Sequence, residues 1–272
     1  MNKEDYLINK ISSSYVGDDG AVVGKRVYSM DAFFENVHFK REWMSLTQIA
    51  RKAMLVNLSD AVAMNAKPLY ALVTLSLPKD ITTLDIDEIV DSLHKVAHEY
   101  GCEIIGGDTI AGERLDFSIT IISETENALR RKGLKEGDLL AYTGVLGESK
   151  RDLNRLFNGE KISNSSKFIE PILRKAFIEK ARPHLRTGMD ISDGLFCDTN
   201  KMLKMNNMGF EILKKISDEV GSSGEEYEML VSFSEKEYEK ILKIAKETDT
   251  NLTVFARAVQ NNRSFICVGH HF

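Results

Sequence analysis

Residues Leu46 to Ala66 read LTQIARKAMLVNLSDAVAMNA, and the character and ending of this stretch decide the fold class. Ile49, Ala53, Val56 and Ala63 recur at helical spacing, which predicts a helix with a largely buried face. Lys67-Pro68 stops it, because proline disfavours helical geometry in the residue before it. Leu69 to Leu77, rich in Leu, Val and Thr, predicts a strand that Pro78 closes. Upstream, Arg26 to Met30 reads as a short strand bounded by the polar Ser29 and Asp31. Downstream, Ile86 to Tyr100 reads as a helix whose end Gly101 suits. Glu103 to Ile105 is a short strand running into Gly106-Gly107-Asp108, and Leu115 to Ile122 alternates as another strand.

The charged segment from Glu124 to Gly137 has little apolar periodicity and marks the expected domain boundary. Beyond it, Asp138 to Thr143, Tyr227 to Phe233 and Leu252 to Val259 read as strands. Helices are expected near Lys167–Lys180, Ser192–Asn206 and Glu235–Lys246, with a loop from Asn158 to Ser166. Both halves mix the two element types. The expected class is α/β (α+β), as two tandem mixed domains over residues 1–130 and 131–272.

A chain of 272 residues is comfortable for two domains. Hydrophobic residues make up 43% and charged residues 28%, an ordinary globular composition. The net charge of -5 argues against a nucleic-acid backbone as partner, since that role needs a basic stripe. No segment approaches the length of a membrane span, and MNKEDYLINK lacks a signal peptide's apolar stretch, so a cytoplasmic location is expected. Cys102, Cys197 and Cys267 form no CxxC pair and leave an odd count, which predicts three separate thiols.

The informative pattern is where the carboxylates sit. Asp18 and Asp19 follow Gly17, and Asp31 follows Met30. Asp60 lies inside an apolar helix, Asp108 follows a double glycine, and Asp190 and Asp193 bracket Ile191-Ser192. A buried carboxylate is costly unless it is paired or binds a metal. Basic residues are scarce around Asp31, Asp60 and Asp190, so external cations are the natural partners. Oxygen-only ligands point to a hard ion such as magnesium, which completes its shell with water and phosphates. Taken singly, each aspartate also fits a turn, a cap or a solvated edge. Gly106-Gly107 suits close backbone approach, and Gly144-Val145-Leu146-Gly147 precedes a helix whose N-terminus favours anions. No GxxxxGK[ST] loop or protein-kinase signature is present. His94 and His98, four apart on an expected helix, have the spacing of a metal-binding pair, but a solvated helix face explains them as well, and Trp43 fits a packing anchor or lid.

Seven segments in order carry a family resemblance. They are Gly17-Asp18-Asp19-Gly20-Ala21, Ser29-Met30-Asp31 leading to Asn36-Val37-His38-Phe39, and Lys52 to Asp60 with Ala63-Met64. Then come Gly106-Gly107-Asp108-Thr109, Tyr142-Thr143-Gly144, Met189 to Leu195 (MDISDGL) and Gly224-Glu225-Glu226-Tyr227-Glu228. Together with the terminal His271-Phe272, the chain resembles the thiamine-monophosphate kinases, of the superfamily that includes aminoimidazole ribonucleotide synthetase. The resemblance implies two α/β domains and a homodimer that pairs its N-terminal sheets. It implies transfer of the ATP γ-phosphoryl group to thiamine monophosphate, with ATP as co-substrate and several Mg2+ ions. Asp19, Ser29, Asp31, Asp60, Asp108, Asp190 and Asp193 would hold metal, with Asp60, Asp190 and Asp193 central to catalysis. Gly107, Asp108, Arg131, Ser192 and Tyr100 would face ATP, and His38 and Glu225 the thiamine moiety.

The chain departs from that pattern in places. Met30 stands where a metal-contacting threonine is usual, Glu226 replaces an aspartate and Ser223 a glycine. The segment from Phe210 to Gly221 is short, and GHHF lacks an aromatic residue before the final pair. Two alternatives stay open: another ATP-dependent enzyme of the superfamily, or an inactive thiamine-phosphate or nucleotide sensor. A dimerisation module would leave the acidic constellation unexplained.

Overall fold

The computed structural model describes residues 3–267. After helix α1 (Lys3–Ile11) come strands β1 (Ala21–Val23) and β2 (Arg26–Phe34), then α2 (Leu46–Ala63), β3 (Lys67–Leu77), α3 (Thr83–Glu99), β4 (Glu103–Ala111) and β5 (Asp116–Glu124). The second half runs β6 (Leu139–Thr143), α4 (Glu148–Phe157), α5 (Lys175–Ala181), β7 (Thr187–Asp190), α6 (Leu195–Asn206), β8 (Gly209–Ile212), α7 (Asp218–Gly221), β9 (Met229–Phe233), α8 (Tyr238–Glu247) and β10 (Leu252–Val259).

Two five-stranded sheets result, ordered β1-β2-β5-β3-β4 and β7-β9-β6-β10-β8. In the first, only β3 and β4 are parallel, because α3 supplies the crossover that a parallel pair needs. The second sheet is antiparallel throughout. Phe117, Ile119 and Ile121 of β5 alternate into the first core, as a half-buried strand must.

Helix α2 sits between the sheets. Ser45 caps it in a reciprocal box, its hydroxyl accepting from the Gln48 N–H while the Gln48 side chain accepts from the Ser45 N–H. Its middle is buried almost all round, as a helix packed on several sides must be. Ala53, Met54 and Leu58 join the first core, whereas Val62 and Ala63 join the second. Leu156, Phe168, Ile169 and Tyr227, from the second half of the chain, pack into the first core. The two halves therefore share buried surface, although their strands separate cleanly on either side of residues 125–138.

Three local expectations are corrected. Gly106-Gly107-Asp108 lies inside β4, not after it. The strand tolerates Gly107 because a Cβ there would stand 1.8 Å from the Val73 carbonyl oxygen. The helix expected from Lys167 begins only at Lys175: Pro171 interrupts it, and the Lys167 ammonium is held by the Val145 carbonyl and Glu226. Cys197 and Cys267 are not separate thiols but a disulfide, leaving Cys102 free and buried. The last described residues cross α6, with Phe265 stacked on both Phe196 and Phe210, and this brings the two sulfurs together.

Candidate active site

Three aspartates from distant parts of the chain converge. Asp19 precedes β1, Asp60 lies in α2, and Asp190 ends β7. Each offers a carboxylate oxygen within 4.8 Å of the others. The Asn57-Leu58-Ser59-Asp60 turn of α2 organises them. Leu58 turns into the core, the Ser59 hydroxyl donates to Asp190 Oδ2 at 2.6 Å, and Asn57 Oδ1 accepts the Asp31 N–H at 2.8 Å. Asn57 is itself fixed, because its amide donates to the Ala53 carbonyl at 2.8 Å.

The electrostatics are those of like charges crowded out of water. Burial raises the pKa of Asp60 and Asp190 well above the ordinary value, and neighbouring carboxylates add to it. Asp31 lies at the solvent-reached mouth, where desolvation and the Asp19 charge push it up to about 6. Asp19 is also raised by burial, although Arg131 opposes the shift by donating through Nε and Nη2 to Oδ1. Asp18 braces that arginine, accepting from the Arg131 N–H at 2.8 Å and from Arg130 Nη1 at 2.9 Å. Two buried oxygens, Asp19 Oδ2 and Ser29 Oγ, have no hydrogen-bond partner among the described residues. Buried polar atoms are rarely left so. Oxygen donors around concentrated negative charge, two of them unsatisfied, fit a hard divalent cation such as magnesium.

Other site candidates fall around this cluster. Asp193 pairs closely with Lys201 and stands outside the trio. Its N–H donates to Asp198, which sequence reading missed; burial raises Asp198 to about 7, with Lys201 3.2 Å away. Asp198 follows Asp193 by five residues, across the start of α6, a spacing that carries no motif. Asp108 is exposed on the edge strand β4, level with Thr74, and is not brought to the trio. Ser192 is drawn in by its carbonyl, which accepts the Glu225 N–H at 2.7 Å. Tyr100 caps α3 between the two cores, with the Lys175 ammonium 5.9 Å from its ring. His38 stacks on Phe33 and accepts the Phe34 N–H at Nδ1, which puts the neutral ring's proton on Nε2. Glu225 sits in a left-handed backbone conformation, φ +53°, and pairs with Lys52 at 2.7 Å.

The anion site expected at the start of α4 is filled from within: Glu226 accepts the Gly147 N–H at 2.8 Å and the Ser149 N–H at 3.3 Å. His94 and His98 lie on the exposed face of α3. Trp43 is a packing anchor, edge-on to Phe157 and Phe168. The GHHF tail lies outside the described residues from residue 268 onward.

Comparison with known proteins follows the same lines. The N-terminal domain model of the AIR synthase related proteins matches residues 17–125. A thiamine-monophosphate kinase of Buchnera aphidicola subsp. Schizaphis graminum is 31% identical over 255 residues, spanning 83% of this chain and 78% of that protein. The chain belongs to the thiamine-monophosphate kinase family. The family's enzyme from Aquifex aeolicus is 28% identical over 236 residues, spanning 82% of this chain and 77% of the relative. The solved structure of AaThiL complexed with AMPPCP and TMP shares the fold, with a TM-score of 0.86 and 24% identity over 99% of this chain and 96% of that one.

Against the family pattern, two departures prove to be one feature. Ser223, where a glycine is usual, donates from Oγ at 2.6 Å to Glu226 Oε1, the longer acid where an aspartate is usual. Met30 is 65% exposed and alternates to the face of β2 opposite Ser29 and Asp31. A threonine side chain at position 30 would point away from the trio.

Proposed function

We propose that this protein transfers the γ-phosphoryl group of ATP to the phosphate of thiamine monophosphate, giving thiamine diphosphate. The observation that carries the reading is the convergence of Asp19, Asp60 and Asp190, with Asp31 at the mouth and unpartnered oxygens on Asp19 and Ser29. The names of the curated relatives support the same acceptor.

The acceptor chemistry suits these residues. A phosphate monoester has a second pKa of about 6 and is largely dianionic at neutral pH, so it needs no general base. The one histidine implicated, His38, has Nδ1 already committed to the backbone. Asp19, Ser29, Asp31, Asp60 and Asp190 would hold magnesium, joined by Asp108 and Asp193 in the fuller set the resemblance implies. Bound there, magnesium ions would offset repulsion between the two phosphate groups and stabilise the charge of the transferring phosphoryl. Arg131 and Ser192 would orient ATP, with Gly107, Asp108 and Tyr100 as further contacts. His38 and Glu225 recognise the acceptor.

The assignment of residues 1–130 to metal binding and dimerisation, with 131–272 completing the site, belongs to this reading. So do a cytoplasmic location and a homodimer. Tyr28, Met30, Tyr70, Leu72 and Ile110 are exposed on the first sheet, which supports sheet-to-sheet pairing. No helix among the described residues is long and apolar enough to cross a membrane.

The test is an ADP-release assay with ATP, magnesium and a panel of phosphorylated acceptors. Turnover confined to thiamine monophosphate is expected. Turnover of a different acceptor would move the protein elsewhere in the superfamily, and binding of both ligands without ADP release would make it a sensor.

A further inference from the structure

Lys52 is the one lysine in the interior of α2, and it is fully buried at 0% exposure. A buried ammonium needs a partner. Lys52 finds one across the molecule, donating to Glu225 Oε2 at 2.7 Å. Its ammonium also lies 3.8 Å from the centre of the Phe168 ring and 5.6 Å from that of Phe33. Phe33 is the ring on which His38 stacks, 5.6 Å between centres. Lys52 therefore holds one of the two residues assigned to the acceptor's organic part, Glu225, and lies over the ring that supports the other, His38.

The state of Glu225 follows. Its backbone is pinned at both ends, the N–H to the Ser192 carbonyl and the carbonyl to the Ser149 hydroxyl at 3.0 Å. Its side chain is 25% exposed, and only Oε2 is used; among the described residues Oε1 makes no hydrogen bond. The Lys52 charge already balances the carboxylate. The pair thus presents an oriented lone pair with no net charge, which suits an N–H donor better than a cation such as a thiazolium ring.

We propose that Lys52 is a positioning residue. It holds Glu225 so that Oε1 accepts a hydrogen bond from the ring amino group of the acceptor, and the pair thereby selects acceptors that carry an aminated heteroaromatic ring. This rests on the functional reading above and adds to it how the acceptor is chosen.

The test compares thiamine monophosphate with its analogue whose pyrimidine amino group is replaced by oxygen. Turnover and calorimetric binding are measured for wild type, Lys52→Met and Glu225→Gln. Methionine keeps the buried stem's bulk and removes the charge. Wild type should prefer the amino compound by about tenfold or more, the scale of a hydrogen bond to a charged partner. In Lys52→Met that preference should fall to near unity while the KM for ATP stays within about twofold, since only the acceptor contact is lost. Glu225→Gln should lose the preference too, and the double variant should lose no more than either single one. A folded Lys52→Met that keeps the preference overturns the proposal. If Lys52→Met does not fold, an unchanged preference in Glu225→Gln overturns it. Wild type that binds the acceptor without turnover defeats the kinase reading alone, because the binding preference still reports on Lys52. Wild type that binds neither compound defeats both.

Discussion

Replacing Asp60 with asparagine should stabilise the metal-free protein while abolishing its turnover. The oxygens of Asp19, Asp60 and Asp190 lie within 4.8 Å of one another. At that distance two unit charges repel by about 3.5 kcal/mol at an effective dielectric near 20. Asp60 faces two such neighbours, a sum larger than the cost of simply taking a proton. Protonation sets the ceiling: from the ordinary 3.8 to pH 7 it costs about 4 kcal/mol. Arg131 offsets part of the repulsion through Asp19, and the buried amide needs partners of its own. A net gain of about 1–3 kcal/mol is expected, which for a chain of this size raises Tm by roughly 3–9 °C.

The sign with pH follows from the direction of the shift. The folded-state pKa of Asp60 lies above its unfolded value, so the folded form binds more protons. Its contribution to stability is fully present below about pH 4 and is lost as pH rises through the folded pKa. Asp31, raised to about 6, adds to the same slope, discounted because solvent reaches it. Thermal melts in chelator from pH 5 to 8 should therefore show wild type losing stability and Asp60→Asn losing less. Magnesium should restore wild type and act weakly on the variant. Asp60→Asn melting below wild type at pH 8 in chelator, with an equal pH slope, would refute the account of the cluster.

Three further outcomes are expected. Ser59→Ala strips Asp190 Oδ2 of its donor and, with Asp190 proposed as a metal ligand, should lower kcat by about 10–100-fold, the usual cost of losing the support behind such a ligand, with an unchanged circular-dichroism spectrum. Cys102, its thiol pushed up to about 11 by burial, should resist thiol reagents in the native state; denatured protein should expose one thiol, and three after reduction. Ser223→Ala and Glu226→Gln should each destabilise in urea titrations, yet with a coupling of about 1–2 kcal/mol in the double-mutant cycle, because they meet in one buried hydrogen bond.

Much of the molecule was legible where a pattern ran long enough. The α2 helix and the β3 strand are legible from their periods and from Pro68, which forbids the helix to run on and stands second in the strand. β7 did not, because four residues are too few to show alternation. β4 was cut short because glycines argue against a strand, and only the packing of Val73 on Gly107 reveals why they are needed. In the site, the aspartates could be read as misplaced charges near apolar residues. Asn57 and Ser59 could not, since an isolated polar residue in a helix has many ordinary explanations until its partner across the chain is known. The disulfide was hidden for the same reason: its cysteines are 70 residues apart and meet through an aromatic stack.

The two faces of α2 explain why one helix can bear four polar residues at such cost. Lys52 and Ser59 are seven apart, two helical turns, and both reach the second half of the chain, at Glu225 and Asp190. Asn57 and Asp60 are three apart on another side, where Asn57 holds the backbone of Asp31 in the first sheet. A helix with one buried face could tie the site to only one sheet. This one carries polar anchors to both, so the spacing between Glu225, proposed to meet the acceptor, and the carboxylates at Asp19, Asp60 and Asp190 is set by a single rigid element. The site's geometry is therefore tied to the integrity of one turn of α2, Asn57 to Asp60, more than to either sheet alone.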